Sequence, residues 1–193
     1  MVDLVKASLL RTEVASELPN VPNPVVDQNI VHATRMLCDE VALWQETHDV
    51  EAASGRLDLS ALEDQDRDVV RVMPRGVAQA GKNLAQYIRP NVPDGLPLGY
   101  YVKERRLLLL TPDTPDGAFQ ITAQLRPAIQ TMSLPGSVIH DYHDVVVHGA
   151  LYRLFRMPSE TWASAEAAQA HYQQFMDGAK RARSEVNRIH TDA

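Results

Sequence analysis

The sequence of 193 residues contains one cysteine and no long apolar run, and both absences narrow the class of protein. Cys38 cannot form a disulfide within the chain, which is typical of proteins kept in a reducing compartment, and we expect it to be a small buried hydrophobe. Unbroken apolar stretches reach only four residues, as at Leu107–Leu110, whereas a membrane-spanning helix needs about 20. The N-terminus has no apolar segment of signal-peptide length. We therefore expect a protein that is neither exported nor anchored in a membrane.

An excess of basic charge is also lacking. The formal net charge is −6, and the first 68 residues hold 14 acidic and 5 basic side chains, so the acidity is concentrated in the N-terminal third. Binding to nucleic-acid phosphates requires clustered lysine and arginine. A nucleic-acid-binding module is therefore a disfavoured interpretation, although it stays among the alternatives.

Motifs of catalysis are scarce. No serine lies in a Gly-x-Ser-x-Gly turn, and no glycine-rich loop opens a predicted helix as phosphate binding would require. Asp113 and Asp116 could be read as paired carboxylates, but the prolines and the glycine around them favour a turn. We expect a protein that is not an enzyme and that needs no cofactor.

One cluster of ligand-type side chains stands out, in the segment His140-Asp141-Tyr142-His143-Asp144. On a helix, His140 and His143 are neighbours, and with Asp144 they could bind zinc or iron. Such a pair needs a further ligand from elsewhere, and the sequence identifies none. We favour a polar helix face that contacts a partner and holds no metal. The alternative is a small metal-binding protein or enzyme that uses the His140/His143 region.

Apolar spacing predicts four helices. The first covers residues 3–17, and the second is a long amphipathic helix over 24–46 that begins after Asn23. A third covers 137–157, and its broad apolar stripe indicates burial on more than one side. The last begins near Ser164 and carries an apolar seam with spacings of four and three: Ala168, Tyr172, Phe175, Ala179, Ala182, Val186 and Ile189.

The middle of the chain predicts strands and turns. Partial alternation over 48–72 indicates strands, and the Pro- and Gly-rich stretch 74–99 predicts a long loop with a short helix around Asn83–Ile88. Residues 100–110 predict a hairpin, and 119–125 alternate strictly, as in a strand with one solvated face. The expected fold class is α+β: a helical bundle of long N- and C-terminal helices with an inserted antiparallel β lobe. We expect one continuous structural unit, with N-terminal helices in 1–47, the lobe in 48–133 and C-terminal helices in 134–193.

The final third resembles the head-to-tail adaptor (connector) proteins of tailed phages, particularly those of short-tailed phages. The shared pattern is a Gly-Ala-Leu helix, a Met-Pro break, a tryptophan, and a long helix with an aromatic pair and a basic end. In this sequence it comprises the stretch from His140 to Leu154, Met157-Pro158, Trp162, Ala167-Ala168, and Tyr172-x-x-Phe175-x-x-Gly178-x-x-x-Ala182. The order of elements extends the resemblance to residues 24–190.

The resemblance implies a virion protein at the portal vertex, assembled in the host cytoplasm. Such a protein forms a homo-oligomeric ring, normally of twelve copies, between the portal protein and a tail tube or nozzle protein. DNA passes through the lumen of the ring without sequence-specific binding, and the genome is ejected through it. The resemblance implies no catalytic activity and no association with a membrane. The helices would contact the portal, and the β lobe or its loops would face the tail.

Three sets of residues follow from this resemblance. The basic end of the last helix, with the tail to Ala193, is the candidate portal-binding region, although a solvated helix end explains its charges as well. The candidate tail-facing residues lie in the hairpin turn and the next loop. The helix-packing candidates are two small residues and the aromatic pair. The portal-binding candidates are Lys180, Arg181, Arg183 and Arg188. The tail-facing candidates are Lys103, Glu104, Arg105, Asp113 and Asp116. The helix-packing candidates are Gly149, Ala150, Tyr172 and Phe175.

Overall fold

A computed structural model describes residues 3–87, 98–158 and 160–191, with side chains up to Arg188. The chain divides into two compact units: a helical unit made of the residues up to Trp44 and from Arg126 onwards, and a β unit, Gln45–Leu125. The elements in chain order are β1 (Leu4–Lys6), α1 (Arg11–Glu17), α2 (Asn23–Glu40), β2 (Gln45–Ala52), β3 (Arg56–Asp58), β4 (Arg67–Gln79), β5 (Lys82–Asn83), β6 (Ala85–Tyr87), β7 (Gly99–Glu104), β8 (Leu107–Leu110), β9 (Gly117–Pro127), β10 (Ser133–Pro135), α3 (Gly136–Phe155) and α4 (Ala165–Thr191).

The helical unit is organised around α3, which packs against both α2 and α4. The interior is formed by completely buried side chains such as Ile30 and Leu37 of α2 and Leu151 of α3. Burial of each such side chain stabilises the fold by roughly 1.5–3 kcal/mol before the entropic cost of ordering the chain. Strand β1 pairs antiparallel with β10, so the N-terminal segment and the segment just before α3 form a small two-stranded sheet.

The β unit contains two four-stranded sheets, in the orders β2-β9-β4-β5 and β3-β8-β7-β6. β2 pairs antiparallel with β9 along its whole length, whereas β6 and β7 are parallel. Alternate residues of β9 point inward, and Phe119, Ile121 and Ala123 are at most 1% exposed. The predicted strand at 119–125 and the predicted hairpin, now β7 and β8, are both confirmed.

The predicted fold class is wrong. In the parts of the chain that the structure describes there are four helices and ten strands in three sheets, which is a mixed, strand-rich protein and no bundle of long N- and C-terminal helices. The helix expected over 3–17 is a strand, a 3-10 turn and a helix of seven residues. The helix expected over 24–46 ends at Glu40, because Val41 is extended and the chain enters β2 at Gln45.

The loop predicted over 74–99 is also largely wrong, since β4 runs to Gln79 and two further strands follow. Gly76 lies inside β4, and this position requires glycine because a β-carbon there would be 2.7 Å from the carbonyl oxygen of Thr122. Ala80 and Gly81 both have positive φ angles and form the tight turn between β4 and β5. No helix forms in the described part of the helix predicted at 83–88, where Asn83 ends β5 and Ala85–Tyr87 form β6, and residues 88–97 lie outside the described ranges.

None of the helices in the described ranges combines the length and apolar character that crossing a membrane requires.

Candidate interaction surfaces

Gly149 of α3 lies where three helices approach one another closely. A β-carbon at this position would lie 2.9 Å from the Cβ of Ala33 on α2 and 2.9 Å from the Cδ2 of Phe175 on α4. Side chains do not tolerate such distances, so only glycine fits here without displacing a neighbour. Ala150, the next residue, is completely buried, and Phe175 is 1% exposed. Both small residues therefore lie in the interior of the helical unit.

The second aromatic residue of α4 lies nearer the surface. Tyr172 is partly buried, and its ring packs against that of Tyr152 on α3 with centroids 4.9 Å apart. Further along α4, Gly178 is buried against the side chain of Val145, which leaves no room for a β-carbon. The contact between α3 and α4 therefore depends on one glycine from each helix, Gly149 of α3 and Gly178 of α4.

Two of the four basic residues at the end of α4 are engaged within the chain. Arg183 donates hydrogen bonds to Oε2 of Glu40 at 2.9 Å and to the carbonyl oxygen of Glu40, the last residue of α2. Lys180 pairs with Asp177 of the same helix at 3.1 Å, and hydrogen bonds from Lys180 and then Gln173 lower the pKa of Asp177. Arg183 therefore connects the C-terminal part of α4 to the last residue of α2.

The other two basic residues are more accessible. Arg181 is exposed and lines a cavity of about 170 Å³ whose walls also include Asp141, Asp144 and Glu185. Arg188 is exposed and forms no ion pair with any other residue that the structure describes. The end of the predicted portal-binding tail, residues 192–193, lies outside the described ranges.

The turn between β7 and β8 combines exposed and fixed charges. Lys103 and Glu104 are exposed at the irregular end of β7. The guanidinium groups of Arg105 and Arg106 instead bind the two carboxylate oxygens of Glu63, at 3.0 and 2.7 Å. Because the Glu63 side chain is only 11% exposed, this pair of contacts fixes the base of the turn.

The loop between β8 and β9 is held by short hydrogen bonds. The carboxylate of Asp116 accepts hydrogen bonds from the backbone N–H groups of Ser54 and Gly55, both at 2.8 Å, and thereby stabilises the turn between β2 and β3. Thr111 and Thr114 are buried and hydrogen-bonded to each other at 2.7 Å. Asp113 lies between them and is exposed. The carboxylate of Asp116 is therefore fixed by backbone hydrogen bonds, whereas that of Asp113 is exposed to solvent.

The histidine cluster of α3 is divided by an irregularity in the helix. Tyr142 departs from helical geometry, with φ −131° and ψ 28°. After it, Nε2 of His143 lies 2.8 Å from Oδ1 of Asp144. The carboxylate of Glu13 on α1 comes close to both, so that one ligand-type atom from each of the three residues lies within 4.8 Å of the others. His140 is exposed and lies outside this group.

A second histidine contact was not predicted. Nδ1 of His148 on α3 lies 3.0 Å from Nδ1 of His171 on α4, and Nε2 of His171 lies 3.5 Å from Oε2 of Glu17 on α1. Burial lowers the pKa of His171, while the Glu17 carboxylate opposes this effect. These residues come from three helices, so no local motif in the sequence connects them.

Cys38 is completely buried on α2, as predicted. Burial raises the pKa of its thiol to about 12, with a further increase from the charge of Asp39. A thiolate is the reactive form of cysteine, so this side chain acts as a core hydrophobe.

Together, these residues serve helix packing and form charged surfaces. The family model for SU10 adaptor protein matches residues 5–192, nearly the whole chain. The chain belongs to the SU10 adaptor protein family, and its resemblance to phage head-to-tail adaptors is confirmed. It is accordingly a phage adaptor, a structural component of the virion that interacts with other structural proteins. No curated protein matches the sequence.

Proposed function

We propose that the protein is a subunit of a ring, normally of twelve copies, that joins the portal protein to the tail at the portal vertex. DNA passes through the lumen of this ring, and the subunit catalyses no reaction. The observation that carries the proposal is the family match over residues 5–192. A ring subunit presents two different faces to its neighbours, because head-to-tail contacts between copies close into a circle.

The close packing of the helical unit supports such a role. Its central helix, α3, is packed closely against α2 and α4 at Gly149. Tightly packed interiors transmit strain and deform little. We propose that this unit forms the body of the ring and contacts the portal.

The portal contact is proposed for the exposed bases near the end of α4. Arg181 and Arg188 are exposed, and Lys180 is 65% exposed despite its pairing with Asp177. Accessible cations steer association with an acidic partner surface and fix its register. Arg183 contributes to the same surface by binding Glu40 through the C-terminal part of α4.

The tail contact is proposed for the turn and loop of the β unit. Lys103, Glu104 and Asp113 are exposed and able to meet a partner. Arg105 and Asp116 shape the same segments through Glu63 and the N–H groups of Ser54 and Gly55. Loops fixed by internal contacts lose less conformational entropy on binding than free ones.

The test is to mix the purified chain with the portal ring encoded in the same genome and to measure the mass by light scattering. We expect a complex of stoichiometric composition whose mass exceeds that of the portal ring by about twelve subunits. The chain alone provides the reference. If the portal mass is unchanged at concentrations well above micromolar, the proposal of a portal-bound ring is wrong.

A further inference from the structure

A group of possible metal ligands lies where α1 meets α3. Glu13, His143 and Asp144 each offer one ligand atom, and these atoms lie within 4.8 Å of one another. Nε2 of His143 and Oδ1 of Asp144 are already 2.8 Å apart. Two ligands of one zinc ion, bound at about 2.0–2.2 Å, are about 3–3.5 Å from each other. The observed spacing is therefore close to that of a chelating set.

The remaining adjustment needs only side-chain rotation at the surface. The side chain of His143 is 46% exposed and that of Asp144 is 78% exposed, while Glu13 is also exposed. Rotamers of exposed side chains interconvert readily. The open side of the group is solvent, and a water molecule can supply the fourth ligand of a tetrahedral ion.

The donor set selects the kind of ion. One imidazole nitrogen and two carboxylate oxygens suit zinc, a borderline ion that accepts both nitrogen and oxygen ligands. Calcium and magnesium prefer oxygen ligands alone and need more of them. The two carboxylates also balance the double positive charge. We propose that Glu13, His143 and Asp144 bind a zinc ion that ties α1 to α3.

The bound ion would connect parts of the chain that are far apart in sequence. Helix α1 has seven residues, too few to be stable alone. It is held by buried Val14 and by the ion pair between Arg11 and Asp27 of α2. Zinc would add a tether to α3. The irregularity at Tyr142 immediately precedes the two ligands on α3.

The experiment is a calorimetric titration of the untagged, full-length chain with zinc chloride, and with magnesium chloride in parallel. We expect one zinc ion per chain and no comparable binding of magnesium. Glu13→Gln and His143→Ala should each weaken zinc binding at least about tenfold, since loss of even an outer partner of a ligand costs about that much. His140→Ala and Asp141→Asn are the matched controls, because they change exposed neighbours on α3 outside the group.

The tether has a second readout. Zinc should raise the melting temperature of the unmodified chain, and this increase should disappear in Glu13→Gln, whose fold is checked by circular dichroism without metal. The proposal is overturned if zinc does not bind, if both ligand variants bind it as the unmodified chain does, or if binding is lost on His148→Ala instead. Because portal mixing is measured separately, failure here leaves the proposed ring untouched.

Discussion

Single residues in the helical unit are constrained by how closely its helices approach. A glycine inside a helix costs about 1 kcal/mol relative to alanine, so its presence in α3 needs a compensating gain. At Gly149 that gain is contact between α3 and both neighbouring helices, because a β-carbon would lie 2.9 Å from Ala33 and Phe175. Close packing of three helices thus depends on the absence of one methyl group.

We expect Gly149→Val to lower the free energy of unfolding by about 1–3 kcal/mol, the usual cost of overpacking an interior. Urea unfolding followed by circular dichroism measures this change. Ala170→Val, at an exposed position of α4, is the matched control and should cost only about 0.5 kcal/mol through helix propensity. Equal effects of the two substitutions would show that Gly149 is not a packing requirement.

Individual elements differ in how far the sequence predicts them. The β7–β8 hairpin and helix α3 are predicted correctly, because their turn residues and apolar periodicity are local. β1 is missed because Leu4–Lys6 becomes a strand only by pairing with Ser133–Pro135. Gly76 suggests a loop in the sequence, yet its role inside β4 is set by the distant carbonyl of Thr122. Local patterns carry no information about such partners.

The same limit applies to the candidate surfaces. The sequence identifies the basic residues of α4, but it cannot show that Arg183 binds Glu40 or that Arg105 binds Glu63. The alternative metal site lacked a further ligand in the sequence, and the structure brings Glu13 to His143 and Asp144. Residue types are visible in a sequence, whereas their partners depend on tertiary contacts.

Two helices carry histidines that make stability depend on pH. Burial lowers the pKa of His32 on α2, with added repulsion from Arg153 and then Arg35, and burial likewise lowers the pKa of His171 on α4. Below the unfolded value of 6.5, the unfolded chain therefore binds more protons than the folded chain. Stability should fall as the pH falls through that value and level off below the folded pKa values.

Urea unfolding at a series of pH values measures this slope. We expect His32→Gln and His171→Gln each to flatten it. The pKa values of Asp58 and Asp177 are also lowered, but these carboxylates change stability only as the pH falls below about 3.8, which is outside the pH range in which the histidines titrate. A slope unchanged in both test variants would contradict the assignment.

For the whole molecule, the proposed portal contact makes a prediction about charge. Exposed ion pairs contribute roughly 0.2–1 kcal/mol each, so Arg181→Ala combined with Arg188→Ala should weaken portal binding by roughly 2- to 30-fold. The loss should be larger at low salt, because added ions screen exposed charges. Lys82→Ala, at an exposed position of β5, is the matched control. Binding that is equally weakened by the control would exclude a specific role for α4.

The helical unit is discontinuous in the chain, which imposes an order on its formation during synthesis. The β unit, Gln45–Leu125, is one continuous stretch and can fold as soon as it leaves the ribosome. β1 must instead wait for β10, roughly 130 residues later, and α2 must wait for α3. A new chain therefore acquires its two four-stranded sheets first, and its helical surfaces become competent for assembly only after α4 has been synthesised.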